Sequence, residues 1–157
     1  MPIARPFWDP EHEEAARGAG PQAFGHDFHL SLGPISEEEI TVVSFRATEA
    51  VNELYEAEIL FVLGAETHAD PLTEALGSRA RLTFPSPERP RVLHGIAADL
   101  ALVGAHLDRR VYAARVVPEI WRLTRKTDTR VFQDQTVAQI VAELLGEHHI
   151  PHVARLS

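Results

Sequence analysis

The chain has 157 residues, no cysteine, and a formal net charge of −8 with its nine histidines counted as neutral. That length suits one compact domain, which buries roughly 68–70% of its unfolded surface and needs no covalent staple. The missing cysteines exclude disulfides and thiolate metal sites and are compatible with a reducing compartment. The acidic balance disfavours nucleic acid or an anionic membrane surface as the main partner. No apolar run approaches the roughly 20 residues of a membrane span, and MPIARPFWDPEHEE carries no apolar core of a signal peptide.

Residues 1–25 read as a flexible N-terminal extension. Pro2, Pro6, Pro10 and Pro21 stand among Gly18, Gly20 and Gly25, with Glu11, Glu13 and Glu14 between them. Phe7 and Trp8 are the exception in this arm, either packed on the body or anchoring another subunit. Residues 26–157 read as the folded part.

Phe28–Leu32 alternates apolar and polar residues and predicts a half-buried strand, broken by Gly33-Pro34. Glu37–Glu39 reads as a solvated turn. Ile40–Arg46 predicts a second strand, with Val43 and Phe45 on one face and Ile40 and Val42 on the other. Tyr55–Leu63 predicts a third strand. It alternates at first and then turns apolar on both faces at Leu60 and Val62, the pattern of a strand end covered on both sides. Asp70-Pro71 opens a short helix through Leu76 that Gly77 ends. Arg79–Phe84 alternates again, and the prolines at 85, 87 and 90 stiffen the loop after it.

Two long apolar runs, Val92–Val103 and Val111–Val117, flank the polar break Gly104–Arg110 and predict an antiparallel hairpin. Gly95 inside the first run implies a bulge or a close backbone approach. Pro118-Glu119 begins a helical segment carrying Ile120, Trp121 and Leu123. Arg122, Arg125, Lys126 and Arg130 make a basic cluster, read as a solvated face in preference to a docking patch. Val131-Phe132 predicts a short strand. Thr136 to Gln139 spells a capping box, followed by Val137, Ile140, Val141, Leu144 and Leu145 at helical spacing and by Gly146 as the stop.

The residues offer little chemistry. His148 and His152 are four apart, but Pro151 prevents a helix from aligning them, and no HExxH accompanies His26, His29 or His149. No nucleophile elbow and no phosphate-binding loop are present. Glu56 and Glu58 share one face of a strand, which marks a wet face more often than an acid–base pair. His94 reads as a packed, hydrogen-bonded histidine in preference to a catalytic one. The catalytic, cofactor and metal assignments are therefore none.

Several of these segments, in their order, resemble the N-terminal hub domain of the VgrG spike proteins of type VI secretion and their phage-tail relatives. Phe45-Arg46-Ala47-Thr48-Glu49 with Leu54-Tyr55-Glu56 resembles the family's opening, although Ala47 stands where glycine is usual. Leu76-Gly77 matches the end of its short helix, and His94-Gly95-Ile96 matches its H-G-I/V strand. Tyr112 to Pro118 with Trp121 and Leu123, and Arg130, Phe132-Gln133-Asp134 with Val137 and Ile140, match two later segments. The resemblance covers about residues 28–150. Residues 1–25 match nothing in it, and the family continues beyond the point where this sequence stops.

The resemblance implies an α+β fold, mostly antiparallel β, as a barrel-like hub domain with two or three short helices. It implies the base of a homotrimeric spike seated on a hexameric tube protein (Hcp-like), among baseplate proteins, with effectors or adaptors as further partners, and without catalysis. The protein would assemble in the cytoplasm and leave with the contractile apparatus. A phage-tail or extracellular injection hub is a variant of the same reading. The rivals are a small hydrolase built on His94 and a nearby carboxylate, and a stand-alone adaptor that recruits through residues 1–25.

Overall fold

Period-two apolar segments become strands because alternate side chains leave a strand on opposite sides, so one row can be buried while the other is wet. The computed structural model describes residues 28–63, 71–86, 88–106 and 109–153. The proposed extension with Phe7 and Trp8, His26 and the helix-opening Asp70 lie outside the described residues. The chain divides into two compact units, Met1–Pro118 and Glu119–Ser157.

In the first unit, β1 (His29–Leu32), β2 (Ile40–Thr48), β3 (Glu56–Leu63), β4 (Arg79–Phe84), β5 (Arg91–His106) and β6 (Arg109–Val117) form one sheet. Its order is β1-β4-β5-β6-β3-β2, and every pair is antiparallel. A single-turn helix, α1 (Pro71–Ala75), precedes β4. Gly77 follows it at φ +74°, the left-handed conformation that ends helices and favours glycine.

One face of the sheet holds the core. Leu30 and Leu32, Ile40 and Val42, Ala57, Ile59 and Phe61, Ala80 and Leu82, Leu93 and Ala97, and Tyr112, Ala114 and Val116 all belong to it. Phe61 is 1% exposed, and its ring stacks on Tyr112 with centroids 5.6 Å apart. The sheet curls into a half-barrel. Phe45 on edge strand β2 reaches Phe28, which leads into the opposite edge strand, at 5.4 Å, and Phe84 at 5.1 Å. The curl lets six strands share one core, to which α1 adds Ala75.

Irregular pairing shapes the sheet, and only part of it matches the sequence reading. A register shift between Val42 and Ser44 in β2 inserts one residue, so Phe45 joins Ile40 and Val42 on the core face instead of opposing them. In β5 the shifts fall between Ala97 and Asp99 and between Leu102 and Gly104, while Gly95 is the site of a close approach. The hairpin arms also run further than predicted, with β5 ending at His106 and β6 starting at Arg109. At the doubly apolar end of β3, Val62 is half-buried and Leu60 is covered by side chains of the sheet itself. On the outer face Leu60 is 1% exposed, packed with Ala113, Val43, Val103 and Val111.

The second unit holds a 3₁₀ helix (Glu119–Arg125) and α2 (Val137–Glu147). Three residues per turn place Ile120 and Leu123 one above the other, as the sequence required. The capping box forms as predicted: the Gln139 amide donates to Thr136 Oγ1 at 3.3 Å, and the Thr136 amide donates to Gln139 Oε1 at 2.8 Å. Val131-Phe132 does not make a strand. The segment is tied at Arg130 by side-chain ion pairs and turned at Asp134, whose φ is 55°, so no ladder holds it and Val131 stays 83% exposed.

Gly146 does not stop α2. The helix passes through it to Glu147, and His149 takes the left-handed position at φ 56°. The His149 amide donates to the Gly146 carbonyl at 3.0 Å and the Ile150 amide to the Leu145 carbonyl at 2.9 Å, the two bonds of a Schellman ending. A histidine thus fills the place usually given to glycine, and a glycine sits where the helix prefers alanine.

Two tests follow from this packing. Phe61→Ala should destabilise the first unit by about 3–5 kcal/mol in urea unfolding, the cost of an unfilled aromatic cavity. His149→Gly and Gly146→Ala should each stabilise α2, by about 0.5–1 kcal/mol, read from thermal melting of the helical circular dichroism signal.

Candidate functional site

Three segments singled out in the sequence meet at one point of the first unit. Tyr55 stands just before β3, Gly95 lies within β5, and Val117 is the last residue of β6. The Tyr55 hydroxyl donates to the His94 carbonyl. A methyl group on Gly95 would overlap the Val117 carbonyl oxygen and lie 2.6 Å from the Tyr55 hydroxyl. Backbone cannot yield to such a methyl as a flexible side chain would, so glycine is a steric requirement here. Burial, with the Glu49 carboxylate as a lesser cause, raises the Tyr55 phenol above its ordinary value of 10.0.

His94 itself corrects the sequence reading. Its side chain is exposed instead of packed, and its backbone carbonyl makes the hydrogen bond. The residue across the β4–β5 pair is Arg81, a cation, where a hydrolase would need a carboxylate to orient the imidazole.

The outer face of the sheet carries a row of alternating charge. Arg46 on β2, Glu58 on β3, Arg115 on β6 and Asp99 on β5 stand side by side in register. Arg115 Nε donates to Asp99 Oδ2 at 2.7 Å, and Glu56 lies 3.5 Å from the same guanidinium. The Arg115 side chain is 18% exposed, between apolar Ala113 and buried Val117 on the same face of β6. Glu56 and Glu58 are thus structural counter-charges. The sequence did flag this pair, but Arg115 and Asp99 escaped notice. The signal was available: each is the lone charged residue deep inside one of the two long apolar runs.

Beside this row Arg46, Thr48, Ala50, Glu53, Leu54, Glu56 and Glu58 line a shallow groove of about 340 Å³. Across the end of β5, Arg91 pairs with Glu49 at 2.6 Å and lies over the Phe84 ring at 5.5 Å. Among the described residues no three histidine or carboxylate side chains converge as a metal site would require, and His148, His149 and His152 do not form one.

In the second unit the basic cluster divides. Arg130 is held between Asp128 at 2.7 Å and Glu147 at 2.6 Å, and those bonds keep its guanidinium more basic than usual. Arg125 lies over Trp121 at 5.5 Å, and Arg122, Arg125 and Lys126 are exposed. The hydrogen bond from Arg130 is the main cause that lowers Asp128 below its ordinary 3.8.

The model of the phage tail baseplate hub family, GPD, matches residues 48–157, which include Tyr55, Gly95, Val117, Arg115 and the whole of the second unit. The chain belongs to that family. This hub-family chain is 30% identical over 112 residues to the type VI secretion system spike protein VgrG1a of Pseudomonas aeruginosa, a match covering 71% of this chain and 17% of that protein. With VgrG4b of the same organism it shares 31% over 123 residues, 78% of this chain and 15% of that protein. The hub-family chain therefore spans about a sixth of the length of these curated relatives. Among solved structures, the Escherichia coli c3393 protein matches with a TM-score of 0.62 and 24% identity, over 78% of this chain and 33% of that one. That protein is described as a component of the type VI secretion system with structural similarity to the bacteriophage T4 tail proteins gp27 and gp5. The likeness shows that this chain shares its fold with part of the c3393 protein.

Arg115→Ala should destabilise the sheet by about 1–3 kcal/mol in denaturant unfolding, because Asp99 and Glu56 then lose a charged hydrogen-bond donor. The Asp128 carboxyl has a folded-state value lowered by Arg130. Its contribution is present above the unfolded-state value and is lost as the pH falls through the lowered one. Asp128→Asn should therefore remove an acid-range component, below about pH 4 for an aspartate, from the pH dependence of the α2 melting signal.

Proposed function

We propose that this hub domain is a non-catalytic structural part of a contractile injection machine: the base of a trimeric spike that docks on a hexameric tube protein and is propelled out of the cell. The observation that carries this reading is the family match over residues 48–157, supported by the VgrG relatives of Pseudomonas aeruginosa. The physical character of the chain agrees. Arg91, Arg115 and Arg130 are engaged by carboxylates of the fold itself, and its sheet is a curled wall with one core along its inner face. A mechanical part needs that stiffness and needs surfaces for its neighbours more than reactive groups.

The same reading supplies the partners and the itinerary. The domain meets two further copies of itself, the tube protein and baseplate proteins, and effectors or adaptors are candidates for loading. It is assembled in the cytoplasm and exported by contraction. No described helix is long and apolar enough to cross a membrane, so the proposed export does not call on a helical span of the described part. A tail or extracellular injection particle would use the same hub in the same way.

Light scattering on the full-length gene product should give a trimer, and a hexameric tube protein from the same genome should co-purify with it. A strictly monomeric product that ignores the tube protein would overturn the reading, and hydrolytic turnover lost on His94→Ala would replace it with the enzymatic rival.

A further inference from the structure

The junction at Gly95 has a second property, independent of the spike reading. Ala97 spends its backbone groups on the β4 side: its N–H donates to Ser78 at 3.0 Å, and its carbonyl accepts from Gly77 at 2.8 Å. Alternation along β5 then turns the backbone groups of Ile96 and His94 towards β6. The β5–β6 ladder, however, stops at the pair Ile96↔Val117, because β6 ends at Val117 and Pro118 follows. The next β5 carbonyl on that side belongs to His94. A strand rung does not reach it, yet it is not left without a donor, since the Tyr55 hydroxyl arrives from the start of β3. The missing Cβ of Gly95 leaves room for both the hydroxyl and the Val117 carbonyl.

We propose that Tyr55 is a latch: its hydroxyl replaces the last rung of the β5–β6 ladder and, sharing with the Val117 carbonyl the space that Gly95 leaves open, clamps the end of β6 where the chain leaves the sheet. The latch joins three strands at one point. It ties the lead-in to β3 to β5 and sets the closing residue of β6 against both. The first unit ends at Pro118, so the clamped residue is the last strand residue before the chain passes into the second unit. A fixed departure point is a conformational device, separate from core packing, because the hydroxyl contributes one directional bond and little buried apolar area.

Hydrogen exchange on the whole chain tests this. In Tyr55→Phe the ring remains and only the bond is lost. Amides 94–97 and 116–117 should exchange roughly tenfold faster, the factor of one ordinary hydrogen bond, while Val42, Ile59 and Phe61 keep wild-type rates. Unchanged rates at 94–97 and 116–117 would overturn the latch, and so would an acceleration spread evenly over all six strands. Gly95→Ala should give the same local pattern by displacing Val117. If that variant does not fold, the tyrosine variant decides alone.

Discussion

The fold depends on a packing constraint: six strands must bring one row of side chains each to a single concave face. Among the described residues the helix Pro71–Ala75 adds only Ala75 to that core, and nearly all the rest comes from the sheet itself, curled until Phe45 on one edge strand meets Phe28 and Phe84 near the other. Curling demands local irregularities, because a regular sheet with a strict period of two would stay open. The shifts in β2 and β5 provide them, and Gly95 lets β6 close in upon β5. The bulge in β2 does the most for the core, since without it Phe45 would face solvent and the concave side would lose its link between edges.

The outer side of the same sheet obeys a different rule. Its central strands are apolar at both ends, with Leu60 and Ala113 at one and Ile96 and Val117 at the other, all nearly inaccessible. Between them the face is crossed by Arg46, Glu58, Arg115 and Asp99. A guanidinium at that depth is tolerated because two carboxylates reach it, and its fork of donors suits two acceptors better than a lysine would. The second unit is held differently. Neither of its helices contains a buried residue, and its order rests on a capping box, a Schellman ending and the Arg130 ion pairs.

Much of this was legible in the sequence, and the parts that were not share a cause. Strand positions followed from alternation, the hairpin from two apolar runs about a polar break, and the N-terminus of α2 from Thr136 and Gln139, because each of these signals is local. Phe45 was placed on the wrong face because a bulge is a relation between two strands. His94 was read as packed because an apolar stretch says nothing about which face a given residue takes. Gly146 was taken as the helix stop, since composition cannot show that His149 accepts the left-handed geometry instead. The Tyr55 junction was half visible. The glycine announced a close approach, but its two neighbours lie 40 and 22 positions away in the chain. The family, by contrast, was legible from the order of short segments, and three of them converge in the structure: the Tyr55 hydroxyl and the Val117 carbonyl both occupy the space that a side chain at Gly95 would need.

The alternating charges also have a meaning for how the sheet comes together. Sliding β6 along β3 by two residues would set Arg115 against Leu60 and leave Glu58 facing Val117, stranding a cation in oil and a carboxylate on an apolar side chain. Small, interchangeable residues such as Ala113 and Ala114 would by themselves tolerate that error. The ionic stripe acts as a key cut for one alignment, and it rejects misthreaded sheets that shape alone would admit.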